Sequence, residues 1–199
     1  MKKFFENLLI LILSSIVALI INYYLTSKIV FNLVSINDFI IKPFSIILII
    51  FQIVCIFCIT QFIIYKTIDE TTLKVFYICY FLMLIPSLFG RNFFKIRIYN
   101  LNPLLLLDQL KSFDSVITAI LNVILFMPIG YLFKNKKFGT LIAIMLPVEF
   151  MIESTQLIFK VGVFDVDDII LNIIGISLGY LLTQKFISES SDDKNDIDS

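Results

Sequence analysis

The length of the apolar runs constrains this chain more than any other feature. They fall at about 4 to 24 or 25, 43–65, 75–89, 116–133, 138–159 and 169–186. An α-helix rises about 1.5 Å per residue, so runs of about 20 residues match the roughly 30 Å hydrocarbon core of a bilayer. Lipid offers no partner to backbone N–H and C=O groups, and a helix pairs them within its own segment. The expected fold is all-α: a polytopic membrane helix bundle with about six transmembrane helices. Composition agrees, with 59% hydrophobic and 16% charged residues, against about 45–50% and 25% in soluble domains.

The opening residues, two Lys followed by an apolar run, mimic a signal peptide. The run is longer than an h-region and no A-x-A site follows, so it reads as a retained first span. Net charge is zero, which gives no global field toward nucleic acid. With no His, the commonest neutral-pH general base and metal ligand is missing. With no Trp, interface anchoring falls to Tyr, as at Tyr23 and Tyr24. Cys55 and Cys58 form a C-x-x-C, but among Ile, Val and Phe they read as membrane-embedded thiols, as does Cys79.

Three regions follow from this pattern. Residues 1–89 carry spans one to three without a motif. Residues 90–186 carry the polar motifs with spans four to six. The acidic tail, 187–199, has nothing to bury and is expected to be disordered. Between spans one and two, 26–42 is mixed and reads as a loop with an interfacial helical piece. The loop at 90–115 is long, basic at Arg91, Lys95, Arg97 and Lys111, and partly apolar. Loops of that length are often functional. Six spans put both termini on one side. Lys and Arg divide nine to seven in favour of that side, and the Lys134–Lys137 turn and the first-span flank point to termini in the cytoplasm of a cell-membrane protein.

An even number of crossings brings the 90–115 loop and the acidic turn at 160–168 to one face. Polar residues within the spans gather there too. Glu153 and Gln156 lie in the last turns of span five, Asn122 early in span four, Asn172 early in span six, and Arg91 closes span three. Glu149, Glu153 and Gln156, at spacings of four and three, share a helix face. A bare carboxylate at mid-span costs on the order of 2.5–3.5 kcal/mol, so Glu149 requires a proton, a partner or a wet cavity. Arg91 is the natural partner for Glu153, because its fork matches a carboxylate; a structural ion pair joining spans three and five is the plain alternative. Asp165, Asp167 and Asp168 have two plain readings: Asp167 or Asp168 capping span six, or a solvated turn. Oxygen ligands suit calcium or magnesium, but the spacing lacks the EF-hand pattern, and no metal or other cofactor is expected. Asn122 and Asn172 can act as interhelical hydrogen-bond glue, and Gly175 and Gly179 as a close-packing pair. Asn100–Pro103 and Phe126–Gly130 read as turn-like or helix-breaking. No nucleophile–base set, phosphate loop or zinc spacing occurs.

In this order these pieces resemble the VanZ-like family of bacterial membrane proteins. They are Arg91, Asn100-Leu101-x-Pro103, Asn122-x-x-x-Phe126-x-Pro128-x-Gly130, Glu153-x-x-Gln156, Asp165-x-Asp167-Asp168, Asn172-x-x-Gly175 and Gly179-Tyr180. The resemblance covers roughly 91–180. Three positions depart from it. Leu104 stands where the family usually has Phe, Gly162 and Val163 where an Arg often precedes the Asp motif, and Glu149 where a small polar residue is common. Glu149 is thus a peculiarity of this chain.

The resemblance implies a multi-pass cell-envelope protein. The family is named for a teicoplanin-resistance protein, so altered drug access at the outer face is the leading expectation. The partners would be the bilayer, and a lipid-linked cell-wall precursor or a lipoglycopeptide. The binding candidates are Arg91, Asn100, Asn122, Glu153, Gln156, Asp165, Asp167, Asp168 and Asn172. A second reading is a membrane enzyme on lipid headgroups, with Glu153 or Asp168 as catalytic base and the loop bases on phosphate. A third is a small transporter with Glu149 and Glu153 as proton relay.

Overall fold

Each apolar run becomes one helix, and the helices extend past the runs wherever polar residues can cap them. The computed structural model describes the backbone of residues 2–26, 38–90, 99–103 and 111–197, and the side chains of 4–26, 41–90, 99–103 and 111–187. Helix α1 is Lys2–Ile21 and passes into a π-turn, Asn22–Thr26; α2 is Asp38–Tyr65 and α3 is Glu70–Phe89. The short strand β1 is Tyr99–Asn100, followed by α4, Phe113–Leu132, and α5, Phe138–Phe159. Strand β2 is Phe164–Asp165, and α6 is Val166–Ile197. Six of these helices are long and apolar enough to cross a membrane, so the protein is an all-α polytopic membrane bundle.

Several starts come earlier than hydropathy indicates. Helix α3 opens at Glu70, after Asp69, and an exposed Glu70–Lys74 ion pair of 2.8 Å supports its first turn. Helix α4 opens at Phe113, where Ser112 Oγ accepts the Ser115 N–H at 3.2 Å. Pro43 lies within α2 instead of at its start. Phe126–Gly130 does not break α4, which runs through Pro128 to Leu132. At the other end, α6 continues as helical backbone to Ile197, where disorder is the sequence expectation. Extending an existing helix is far cheaper than nucleating one.

The chain forms two compact units, Met1–Asn92 and Phe93–Ser199. In the first, α2 packs against both α1 and α3. Polar side chains, mostly amides and hydroxyls, tie α1 and its π-turn to α2. Gln52 Nε2 donates to Thr26 Oγ1 at 2.7 Å, and Asn22 Nδ2 to Gln52 Oε1 at 3.4 Å. Gln61 Nε2 reaches Asn7 Oδ1 at 3.4 Å, and Tyr65 OH donates to Glu6 Oε2 at 3.1 Å. Phe51, Phe76 and Tyr80 form an aromatic seam between α2 and α3. Cys55, Cys58 and Cys79 are free thiols within α2 and α3.

In the second unit α6 is central. In its membrane-length window 39% of residues are buried, against 28% in α5 and 22% in α4. Its seam with α4 is glycine-lined. A Cβ on Gly175 would run into the Val123 carbonyl, one on Gly179 into that of Met127, and one on Gly130 into the backbone of Ile176 and Tyr180. Carbonyl oxygens therefore face the other helix's backbone across the seam, the close approach small residues permit in membranes. At the far end of the seam, Tyr180 OH donates to the Lys136 carbonyl at 2.9 Å and Gln184 Nε2 to that of Lys134 at 2.6 Å. These bonds satisfy carbonyls of the turn after α4.

Candidate functional site: an acidic network at the head of the last helix

The site is built where α5 ends and α6 begins. Helix α5 stops at Lys160, which adopts the left-handed conformation (φ 59°) and donates its N–H to Gln156 and Leu157. Val161 N–H also bonds Gln156 O at 3.0 Å, closing the last turn. The chain then has five residues, 161–165, in which to reverse into α6. Gly162 belongs to that reversal: an added Cβ would sit 2.7 Å from Gln156 Oε1. The buried Gln156 amide occupies that space. A side chain at 162 would require the Gln156 amide to shift.

The 90–115 loop is brought in by the sheet. Strand β1 runs parallel to β2, with Tyr99 opposite Phe164 and Asn100 opposite Asp165. This register puts Asn100 over the head of α6. Its Nδ2 donates to Asp165 Oδ1 at 3.0 Å and to Asp167 Oδ2 at 3.2 Å. Its Oδ1 accepts the Asn102 N–H at 3.0 Å, an Asx-turn that holds the amide in place. One Asn side chain thus orders its own loop and joins two carboxylates.

Capping of α6 falls to Asp165, not to Asp167 or Asp168. Asp165 Oδ1 accepts the Asp167 N–H at 2.9 Å, as an N-cap does for the second helical residue. Asp167 and Asp168 occupy the first turn, where the positive end of the helix dipole favours them. The Asp165 N–H in turn donates to Glu153 Oε2 at 3.1 Å, so the last turns of α5 hold the start of α6. Asp168 Oδ1 accepts from Asn122 Nδ2 of α4 at 2.9 Å. One helical turn further in, Asn172 Nδ2 donates to Glu149 Oε2 at 2.9 Å.

Of the sequence candidates, Asn100, Glu153, Asp165 and Asp167 therefore join one hydrogen-bonded network across the loop, α5 and α6, and Asn122 and Asp168 pair beside it between α4 and α6. Gln156 is buried beside it. Asn172 is turned one helical turn deeper, to Glu149. Arg91 lies outside the described residues, as does Leu104; the partner of Glu153 here is a backbone N–H. The acids are deeply placed: Glu153 and Asp167 are each 2% exposed. Three buried oxygens of the site, Glu149 Oε1, Asp167 Oδ1 and Asn172 Oδ1, have no hydrogen-bond partner among the described residues. Among the described residues no group of three or more acids or thiols is arranged to hold a metal. The pairing of Glu149 is what the sequence reading missed; its spacing of four from Glu153 was the available signal.

The VanZ/LLP1 family model aligns with residues 49–187, more than half of the chain. The chain belongs to the VanZ/LLP1 family. The matched region begins within α2, well before the first polar motif, so family character in this VanZ/LLP1 protein includes spans that carry no motif at all. No curated protein and no solved structure matches it. The motif residues of the VanZ/LLP1 chain from Asn100 to Asn172 are the ones that tie its loop, α4 and α5 to α6.

Proposed function

We propose that this VanZ/LLP1 protein is a non-catalytic binding protein of the cell membrane. It would contribute to glycopeptide (teicoplanin-type) resistance by altering drug access at the outer face. The observation that carries the reading is Asn100. It fastens residues 99–103 onto Asp165 and the buried Asp167 at one end of the second unit, and we read that gathering of acids as an acidic recess. Such a recess suits a polar, lipid-linked cell-wall precursor or a lipoglycopeptide, and the bilayer is its other partner. Binding is favoured over catalysis because Glu153, Asp165 and Asp168 hold the loop and helices together, each carboxylate accepting from a backbone N–H or an Asn amide. A catalytic base would need a lone pair directed at a substrate proton. Both termini lie in the cytoplasm in this reading, which puts the recess outside after an odd number of crossings.

A deletion strain complemented with wild type, Asn100→Ala or Glu153→Gln tests it. Teicoplanin susceptibility should rise in the deletion and in both variants, while lipid and cell-wall profiles by mass spectrometry stay unchanged. A Glu153→Gln strain that makes the protein and keeps full resistance would sink the binding role. A changed headgroup profile in the deletion would favour the enzyme reading, with Glu153 or Asp168 as base. Orientation is read from Lys160→Cys, an exposed turn position distant in sequence from the native thiols. Labelling from outside supports this topology, and labelling from the cytoplasm reverses it.

A further inference from the structure

Glu149 and Asn172 share a matched defect. Asn172 Nδ2 donates to Glu149 Oε2 at 2.9 Å, and the two residues are 0% and 3% exposed. The remaining oxygens of the same two groups, Glu149 Oε1 and Asn172 Oδ1, are both buried without a partner among the described residues. Each is an acceptor, and what is missing is a donor. An ionised carboxylate has none to give, whereas a carboxylic acid has one O–H. A proton on Oε1 makes the acid complementary, end for end, to a primary amide.

We propose that Glu149 is a buried proton-binding site: a neutral carboxylic acid paired face to face with Asn172, which donates N–H one way and accepts O–H the other. A bare carboxylate at this depth in a membrane-spanning helix is costly, and the acid form removes that charge. The titratable groups around it are Glu153, one turn further along α5, and Asp168, one turn before Asn172 in α6, with Asp165 and Asp167 at the same end of α6. From α4, the facing group is the neutral amide of Asn122, on Asp168. A metal cation is the poorer occupant, since the acids are not arranged as a ligand set. The site is independent of the binding role proposed above: it concerns the α5–α6 contact beneath the recess and stands whether or not the protein affects drug susceptibility.

Infrared spectroscopy of the full-length protein in lipid bilayers near neutral pH tests this directly. Wild type should show a protonated-carboxyl C=O band that shifts in D2O. Glu149→Gln should fold and lose that band, because the amide has the shape and hydrogen bonding of the neutral acid. Asn172→Leu, or Asn172→Ser if that variant does not assemble, should keep the band but move it to higher frequency as the hydrogen bond is lost. Wild-type and Glu149→Gln spectra identical in this region would overturn the proposal. So would a Glu149→Gln protein that fails to fold, or a band indifferent to replacement of Asn172.

Discussion

The two compact units join apolar helices by different chemistry. Helices in lipid gain little from hydrophobic burial against one another, because lipid tails are as apolar as Leu. In Met1–Asn92 the solution is bulk and neutrality: a Phe51–Phe76–Tyr80 seam and amide or hydroxyl bonds such as Gln52 to Thr26. No glycine occurs before Gly90. In Phe93–Ser199 the solution is close backbone contact at Gly130, Gly175 and Gly179, together with carboxylates joined by Asn side chains. Neutral bonds between side chains tolerate loss, because each group can find another partner or turn to the interface. Buried carboxylates and backbone-to-backbone seams do not. The difference suggests a support in the first unit and a built site in the second.

The contrast can be broken most easily at Gly179. Gly179→Ala drives a Cβ into the Met127 carbonyl, which cannot rotate away as a side chain would, and should cost about 3 kcal/mol by the usual scale of overpacking. Gly139→Ala, with open space around it, is the control. Thermal unfolding in detergent compares them, and equal melting temperatures would remove the glycine seam from the account. Next in size is Asn100→Ala, which strips the partner from the buried Asp167 Oδ2. It should cost about 2 kcal/mol, against about 1 for Gln52→Ala in the first unit, because an unpaired buried charged group is penalised more than a neutral one. Equal losses would erase the distinction between the units.

Asp165→Ala removes a helix cap and should cost about 1 kcal/mol, most of it restored in Asp165→Ser. Failure of the Ser variant to recover stability would assign Asp165 to the site and not to the cap. Lys160→Gly should raise stability by roughly 0.5 kcal/mol, since glycine adopts the left-handed conformation without penalty. The smallest effect is expected at Gln61→Leu. Its one bond is long and its Oε1 is already unpartnered, so the change should fall within about 0.5 kcal/mol of neutral. A large loss there would show that a polar tie in the first unit matters as much as those in the second.

Much of this was readable beforehand, for particular reasons. Run length sets helix number, because lipid imposes the same backbone rule everywhere. The gathering of Asn122, Glu153 and Asn172 followed from counting turns from the helix ends. Gly175 and Gly179 followed from their spacing of four. Hydropathy does not mark the helix starts at Glu70 and Phe113, where a first-turn ion pair and a Ser112 cap extend the helices. The capping role was assigned to the wrong acids because Asp165, Asp167 and Asp168 are equivalent as residue types. Glu149 was set aside as a peculiarity, yet it is the most deeply buried acid in the network.

The sequence by itself determined that this chain crosses a membrane on about six helices, and that its acids collect around the last of them. Those are consequences of length, periodicity and the cost of charge in hydrocarbon, and they need no knowledge of neighbours. Tertiary structure decided which acid does what. Asn100 meets Asp165 because a two-residue parallel strand pair sets the register. Asn172 meets Glu149 because the packing of α5 against α6 sets the two side chains opposite each other. Hydrogen bonds are directional at the scale of one side chain, and residue spacing along a helix does not specify the partner across the gap.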